Sequence, residues 1–329
     1  MTHIAVLDDY QGVALQMADW SALPSDCQVQ VFRDHLSDRD ALVERLRAFE
    51  VVTCMRERTP FPRDLLERLP SLRLLVTTGM RNAAIDLEAA TVLGILVCGT
   101  AGGPDSPPAE LTWGLILALV RHIPRENTDI RNGHWGTTLG MSLEGKVLGV
   151  LGLGRLGGKV ATVGVAFGMS VIAWSQNMTA ERAAQYGATL VTKDALFTRS
   201  DIVTVHVQLS ARTRGLVGAR ELRLMKPTAY LINTARGPIV DESALVQALQ
   251  ARTIAGAGLD VFDQEPLPPG HPFLALSNTI LVPHVGYVTK DQYQVRYRET
   301  VENVAAYLRG EPLRVLNPQA LATAHTRRP

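Results

Sequence analysis

The stretch Val147-Leu148-Gly149-Val150-Leu151-Gly152-Leu153-Gly154-Arg155-Leu156-Gly157 constrains this chain more than any other. A short apolar run enters a G-x-G-x-x-G cluster, and a helical pattern leaves it, running to about residue 168. Each glycine has its own reason. Gly152 permits a tight turn, Gly154 lets the backbone approach a pyrophosphate, and Gly157 lets the helix pack close to the strand. First-turn N–H groups then meet the anion with the helix dipole behind them. The pattern predicts a dinucleotide-binding βαβ unit, and such units build parallel sheets.

The rest of the chain repeats that alternation. Strands are predicted at residues 3–7, 29–32, 51–54 and 72–77, with Leu42, Leu46 and Phe49 at helical spacing between two of them. Further strands are predicted at 147–151, 170–174, 202–207, 229–233, 256–260 and 279–282. The run 109–122 is apolar nearly all round and reads as a buried helix. Residues 241–252 start with an acidic N-cap and read as an amphipathic helix. The last helix is placed at 291–308, before Gly310 and Pro312. The Gly/Pro/Ser-rich segment 100–108 reads as an interdomain passage, a polar stretch occupies 131–141, and the tail from Gln319 is expected to fray.

Composition narrows the function. With 329 residues, about two domains are expected. Lys+Arg is 33 against Asp+Glu 32, so neither a basic excess nor a basic stripe points to nucleic acid. No apolar run approaches the ~20 residues that cross a bilayer, so no membrane partner is expected. Cys27, Cys54 and Cys98 are odd in number and lack C-x-x-C spacing, which argues against a disulfide scaffold or a zinc site. The N-terminus has no secretory pattern. A cytoplasmic enzyme or binding protein without a metal is the expectation.

The second strand of a dinucleotide fold commonly ends in an acid for the adenosine ribose. Here Trp174 is followed by Ser175-Gln176-Asn177. A carboxylate would repel a 2′-phosphate and these residues do not. No arginine immediately follows the strand to clamp that phosphate, so NAD and NADP both stay open.

Three segments end a strand or turn with one polar group in apolar surroundings: INTARG around Arg236, DVFDQEP around Glu265, and LVPHVG around His284. Ligands of open α/β sheets gather outside the carboxyl ends of strands. Convergence there would suit reduction of a 2-keto acid. His284 as imidazolium gives a proton to the developing alkoxide, and a carboxylate at Glu265 favours the charged ring. Arg236 offers a planar fork for a carboxylate or polarised carbonyl. Spacing alone does not choose these three, since each residue taken singly also suits a structural role.

The ordered set of residues 152–157, NTARG at 233–237, DVFDQEP at 260–266 and PHVG at 283–286 resembles the D-isomer-specific 2-hydroxyacid dehydrogenases, from about Ile4 to Pro318. The resemblance implies two Rossmann-like α/β domains, with a cofactor domain (101–290) inserted into a discontinuous substrate domain (1–100 plus 291–329). It implies that Arg236 binds substrate, Glu265 orients the base and His284 is the acid/base. It assigns Asp260 to the nicotinamide carboxamide and Arg155 and Leu156 to the pyrophosphate. His206, Val207, Thr234 and Ala235 line the cofactor, with Ser175, Arg236 and His284 also against it. Thr78, Gly79, Met80 and Arg81 match the loop whose backbone N–H groups hold the substrate carboxylate. Family members are commonly dimers joined through the cofactor domains, which the 109–122 helix and the Trp135 segment suit.

Ser175 replaces the acid typical of NAD-preferring members, and Gln208 stands where many relatives carry proline. If Arg56 and Arg81 both face the substrate, a second anionic group such as a phosphate would bind. An alternative from another class is an NAD(H)-sensing corepressor-like binding protein of the same fold, disfavoured by the lack of long charged recruitment segments. Formate or phosphite oxidation is less consistent still, because formate dehydrogenases of this type place Gln at the position of Glu265.

Overall fold

Val51–Cys54, Leu74–Thr77 and Leu96–Gly99 are buried at every position. Such runs belong to parallel strands covered on both faces. The computed structural model describes residues 1–324. It divides into two units, Met1–Pro104 with the stretch from Val288 onward, and Asp105–Tyr287.

Among the described residues, the first unit holds a parallel five-stranded sheet. Its strands are β1 (Thr2–Val6), β2 (Cys27–Val31), β3 (Val51–Cys54), β4 (Leu74–Thr77) and β5 (Leu96–Gly99), in the order β2-β1-β3-β4-β5. Leu42, Leu46, Leu65, Leu66 and Ala89, from three short helices, pack with Ala5, Val52 and Leu75. Ile4, Val51, Leu74 and Val76 pack with Val301 and Val304 of the helix Lys290–Leu308. The sheet is thus sandwiched, and the helix Lys290–Leu308 completes a core begun by the N-terminal strands.

The second unit holds a parallel seven-stranded sheet. Its strands are β6 (Val147–Leu151), β7 (Ser170–Trp174), β8 (Ala188–Leu190), β9 (Ile202–Val205), β10 (Tyr230–Asn233), β11 (Gly256–Leu259) and β12 (Thr279–Leu281). The order is β12-β11-β10-β9-β6-β7-β8, so the winding reverses between β6 and β9. Helices Pro107–Val120 and Arg155–Ala166 supply Trp113, Ile116, Val160 and Ala161 to one core. The helix Glu242–Gln250 supplies Leu245 and Leu249 to another. The two-sheet, doubly wound α/β architecture is the one the sequence predicts.

Several local expectations change. The buried helix ends at Val120 rather than at residue 122, because His122 takes a left-handed backbone (φ 50°) that caps a new helix, Ile123–Arg131. That second helix has no buried residue, and its only two apolar anchors, Ile123 and Ile130, stand seven positions apart and half exposed, a sparser stripe than a core-facing helix carries. Strands β5 and β8 were not anticipated. The tail does not fray at Gln319: Ala320–Ala324 is helical and Ala320 is buried. Asn317 secures the approach, accepting from Val97 N–H and donating to Ile95 C=O. The rest of the tail lies outside the described residues. No helix among the described residues is long and apolar enough to cross a membrane.

Candidate active site

The β6 exit is shaped by its glycines. Gly152 has φ 100°, and a methyl group there would stand 2.7 Å from the Val207 nitrogen. Gly157 lies against the Gly152 carbonyl, so the helix Arg155–Ala166 sits tight on the strand. At Gly154 nothing stands within 4 Å of where a Cβ would be. Open backbone at a helix N-terminus is the cradle a pyrophosphate requires, and these residues fit one. Arg155 Nη1 lies 3.0 Å from Asp105 Oδ2 on the surface, and Leu156 is half-buried.

Neighbouring strand ends face the same edge of the sheet. Ser175, after β7, accepts the Leu153 N–H at 3.1 Å through its hydroxyl. His206, after β9, donates its backbone N–H to Leu151 C=O, and its Nε2 is buried without a hydrogen-bond partner among the described residues. Burial pushes this imidazole down to about 4, so the ring is neutral. Val207 follows, half-buried, beside Gly152.

After β10, Asn233 folds the chain back on itself, accepting from Ala235 N–H and donating to Arg236 C=O. Thr234 Oγ1 meets Thr112 Oγ1 at 2.8 Å, tying the turn to the helix Pro107–Val120. Arg236 Nη1 donates to Ala235 C=O. A methyl group at Gly237 would overlap the Phe262 carbonyl, so the Arg236 turn and the loop after β11 are in direct backbone contact.

Asp260, after β11, is 1% exposed. Its two oxygens accept from Val285 N–H at 2.6 Å and Gly286 N–H at 3.0 Å. Burial nevertheless pushes its carboxyl up to about 6. Glu265 accepts from Phe262 N–H through Oε1, and its Oε2 lies 2.5 Å from Nδ1 of His284. His284 has φ 52°, in the left-handed region, and its ring meets Tyr287 edge-on at 5.5 Å. With Nδ1 donating to a carboxylate, Nε2 is the nitrogen left to exchange a proton.

In the first unit, the segment after β4 is tied inward. Thr78 N–H donates to Cys54 C=O and Gly79 N–H to Thr100 Oγ1. The N–H groups of Thr78 and Gly79 are thus engaged within the first unit. Arg56, with φ 55°, donates its backbone N–H to Thr78 Oγ1 and lays its guanidinium over Gly79, with Nε 3.5 Å from Glu57 Oε2.

The family model for the NAD binding domain of D-isomer specific 2-hydroxyacid dehydrogenases matches residues 113–286. The chain belongs to this family. It is 41% identical to a glyoxylate reductase of Aeropyrum pernix over 257 residues, 75% of this chain and 77% of that one. The crystal structure of a phosphoglycerate oxidoreductase from Vibrio cholerae superposes with a TM-score of 0.89 at 36% identity, covering 94% of this chain and 100% of that one. A D-lactate dehydrogenase from Aquifex aeolicus, complexed with NAD and lactic acid, does so with a TM-score of 0.76 at 26% identity, covering 97% and 98%.

This 2-hydroxyacid dehydrogenase is thus an oxidoreductase that uses a nicotinamide cofactor, NAD(P). Several of its site residues escaped sequence reasoning. Thr112, Val285 and Gly286 each reach a singled-out residue through one hydrogen bond, and Asn233 reaches two, Ala235 and Arg236. Asn233 alone carried a signal, because a short amide side chain at a strand end favours such turns.

Proposed function

We propose that the enzyme interconverts a small 2-keto acid and its D-2-hydroxy acid, with His284 as acid/base, Glu265 as its orienting carboxylate and Arg236 as the substrate-binding cation. The observation that carries this reading is the 2.5 Å contact between His284 and Glu265, one strand away from the Arg236 turn. In the reducing direction, Nε2 of His284 delivers its proton to the carbonyl oxygen while Glu265 holds the ring in register. The Arg236 guanidinium pairs with the substrate carboxylate. Met80 and Arg81 supply the remaining backbone N–H groups of the substrate loop.

The bound nicotinamide supplies or accepts the hydride. Gly152, Gly154, Arg155, Leu156 and Gly157 hold its pyrophosphate. Ser175, His206, Val207, Thr234, Ala235 and Asp260 line the remainder, following the family assignment. Ser175 puts no carboxylate at the ribose, so NADPH is accepted alongside NADH. Glyoxylate and hydroxypyruvate are the favoured substrates, in line with the similarity to a glyoxylate reductase. Glu57 against Arg56 lowers the net positive charge of the first unit's loop, which suits a monoanionic acid. A matrix of initial rates, several 2-keto acids against NADH and NADPH, tests the reading; absence of turnover across the matrix, with cofactor still bound, would overturn it.

The same reading includes a homodimer formed through the second unit, in the cytoplasm. Trp135 and Leu139 are 86% and 94% exposed, and Ile123 and Ile130, which line one groove with Trp135, are half exposed. A second copy would cover this apolar surface. Sedimentation of Trp135→Glu/Leu139→Glu should show monomers where the parent shows dimers. Cys54 and Cys98 are free, buried thiols pushed up to about 12 by burial, which suits a reducing compartment.

A further inference from the structure

The carboxylate of Glu242 takes no part in the chemistry above, yet it reaches the loop that carries Glu265. Asp241 and Glu242 open the helix Glu242–Gln250 with different tasks. Asp241 is the N-cap and accepts the Ala244 N–H at 3.0 Å. That frees Glu242, the first helical residue, to turn away from the helix. Its Oε2 accepts the Asp263 N–H at 3.1 Å, and its Oε1 lies 3.0 Å from Nε2 of His271. The tautomer of His271 follows from its other side. Nδ1 accepts from the Phe273 N–H, so Nε2 carries the proton and donates to Glu242.

The connection to the site is short. Asp263 follows Phe262, whose own N–H holds Oε1 of Glu265, while Oε2 of Glu265 meets His284. The same backbone at Phe262 and Asp263 packs against Gly237, next to Arg236. One carboxylate on a helix therefore grips the loop between the guanidinium turn and the carboxylate that orients the imidazole. Acids at helix starts ordinarily answer the helix dipole alone; here both oxygens also have specific partners in the loop. Asp241, Asp263 and Arg214 are the other charges facing this point.

We propose that Glu242, fixed by His271, is a positioning residue for the Glu265–His284 pair. The proposal rests on the assignment of His284 as the acid/base. Releasing the loop lets Glu265 drift from the ring, and the ring then loses the partner that holds it in register. The loss should fall on kcat for keto-acid reduction and spare cofactor binding.

The test is kcat and the KM of both substrates for keto-acid reduction, per folded active site, in wild type, Glu242→Gln, Glu242→Ala, His271→Gln and His284→Ala. Glu242→Ala should lower kcat about tenfold with the cofactor KM unchanged. Glu242→Gln, which keeps one oxygen acceptor, should fall between it and wild type, as should His271→Gln. A fall in kcat matched by a rise in the cofactor KM, or one that Glu242→Gln does not partly restore, would reduce Glu242 to a fold-supporting role and overturn the proposal. So would an unchanged Glu242→Ala kcat alongside an inactive His284→Ala enzyme. Full activity of His284→Ala would instead overturn the acid/base assignment itself.

Discussion

Nδ1 of His284 lies 2.5 Å from Oε2 of Glu265, although 19 residues separate them in the chain. Parallel pairing of β11 with β12 brings the two strand exits together, and the Phe262 N–H holds the second carboxylate oxygen. Glu265 engages Nδ1, and under the proposed acid/base role Nε2 is the nitrogen that meets the substrate. Replacement of His284 by Ala should lower kcat at least about 10²-fold with cofactor binding intact. Glu265→Gln keeps the shape and removes the charge, and should lower kcat by about 10-fold or more. Stopped-flow turnover with fluorescence titration of the cofactor separates the two quantities; near-wild-type kcat in either variant would contradict the assignment.

Arg236 sits on a turn fixed by Asn233 and backed by Gly237. Lysine at this position keeps the charge but loses the planar fork that matches a carboxylate. Arg236→Lys should raise the keto-acid KM about tenfold, equivalent to about 1.4 kcal/mol, and leave the cofactor KM in place. Steady-state kinetics in both substrates provides the comparison. An unchanged kcat/KM for the acid would remove Arg236 from substrate binding.

The Ser175 hydroxyl accepts the Leu153 N–H beside the glycine turn. An aspartate there introduces a negative charge where a 2′-phosphate would approach. Ser175→Asp should reduce the ratio of kcat/KM for NADPH to that for NADH by about tenfold or more. If the ratio stays where it is, the ribose is read elsewhere.

Two buried groups give the fold opposing pH dependences. His206 is lowered from 6.5 to about 4, so its contribution to stability is present above pH 6.5 and is lost as pH falls to about 4. Asp260 is raised from 3.8 to about 6, so its contribution is present below pH 3.8 and is lost as pH rises to about 6. Glutamine at His206 removes the first and keeps the second. The Tm of His206→Gln minus that of wild type should therefore rise as pH falls from 6.5 towards 4. Thermal unfolding across that window, without cofactor, measures it; a flat or falling difference would mean that the His206 ring is protonated in the folded protein.

Much of this was legible from residues close together in the chain. The turn at Gly152, Gly154 and Gly157 could be read because a positive φ, an open backbone and a tight helix contact are each met by glycine at a defined step. Buried strands such as β3 and β4 announced themselves as apolar runs, and Asp241 as an N-cap. Helix Ile123–Arg131 was hidden because no face of it is buried, and the helix at Ala320 because Asn317 secures its approach from far along the chain. The grip of Glu242 on Asp263, the closure of Asp260 by Val285 and Gly286, and the pairing of Glu265 with His284 had no local signature. Backbone preferences act over a few residues, so they can be read along the chain. Which carboxylate meets which donor depends on strand order and register, and these exist once the sheet has assembled.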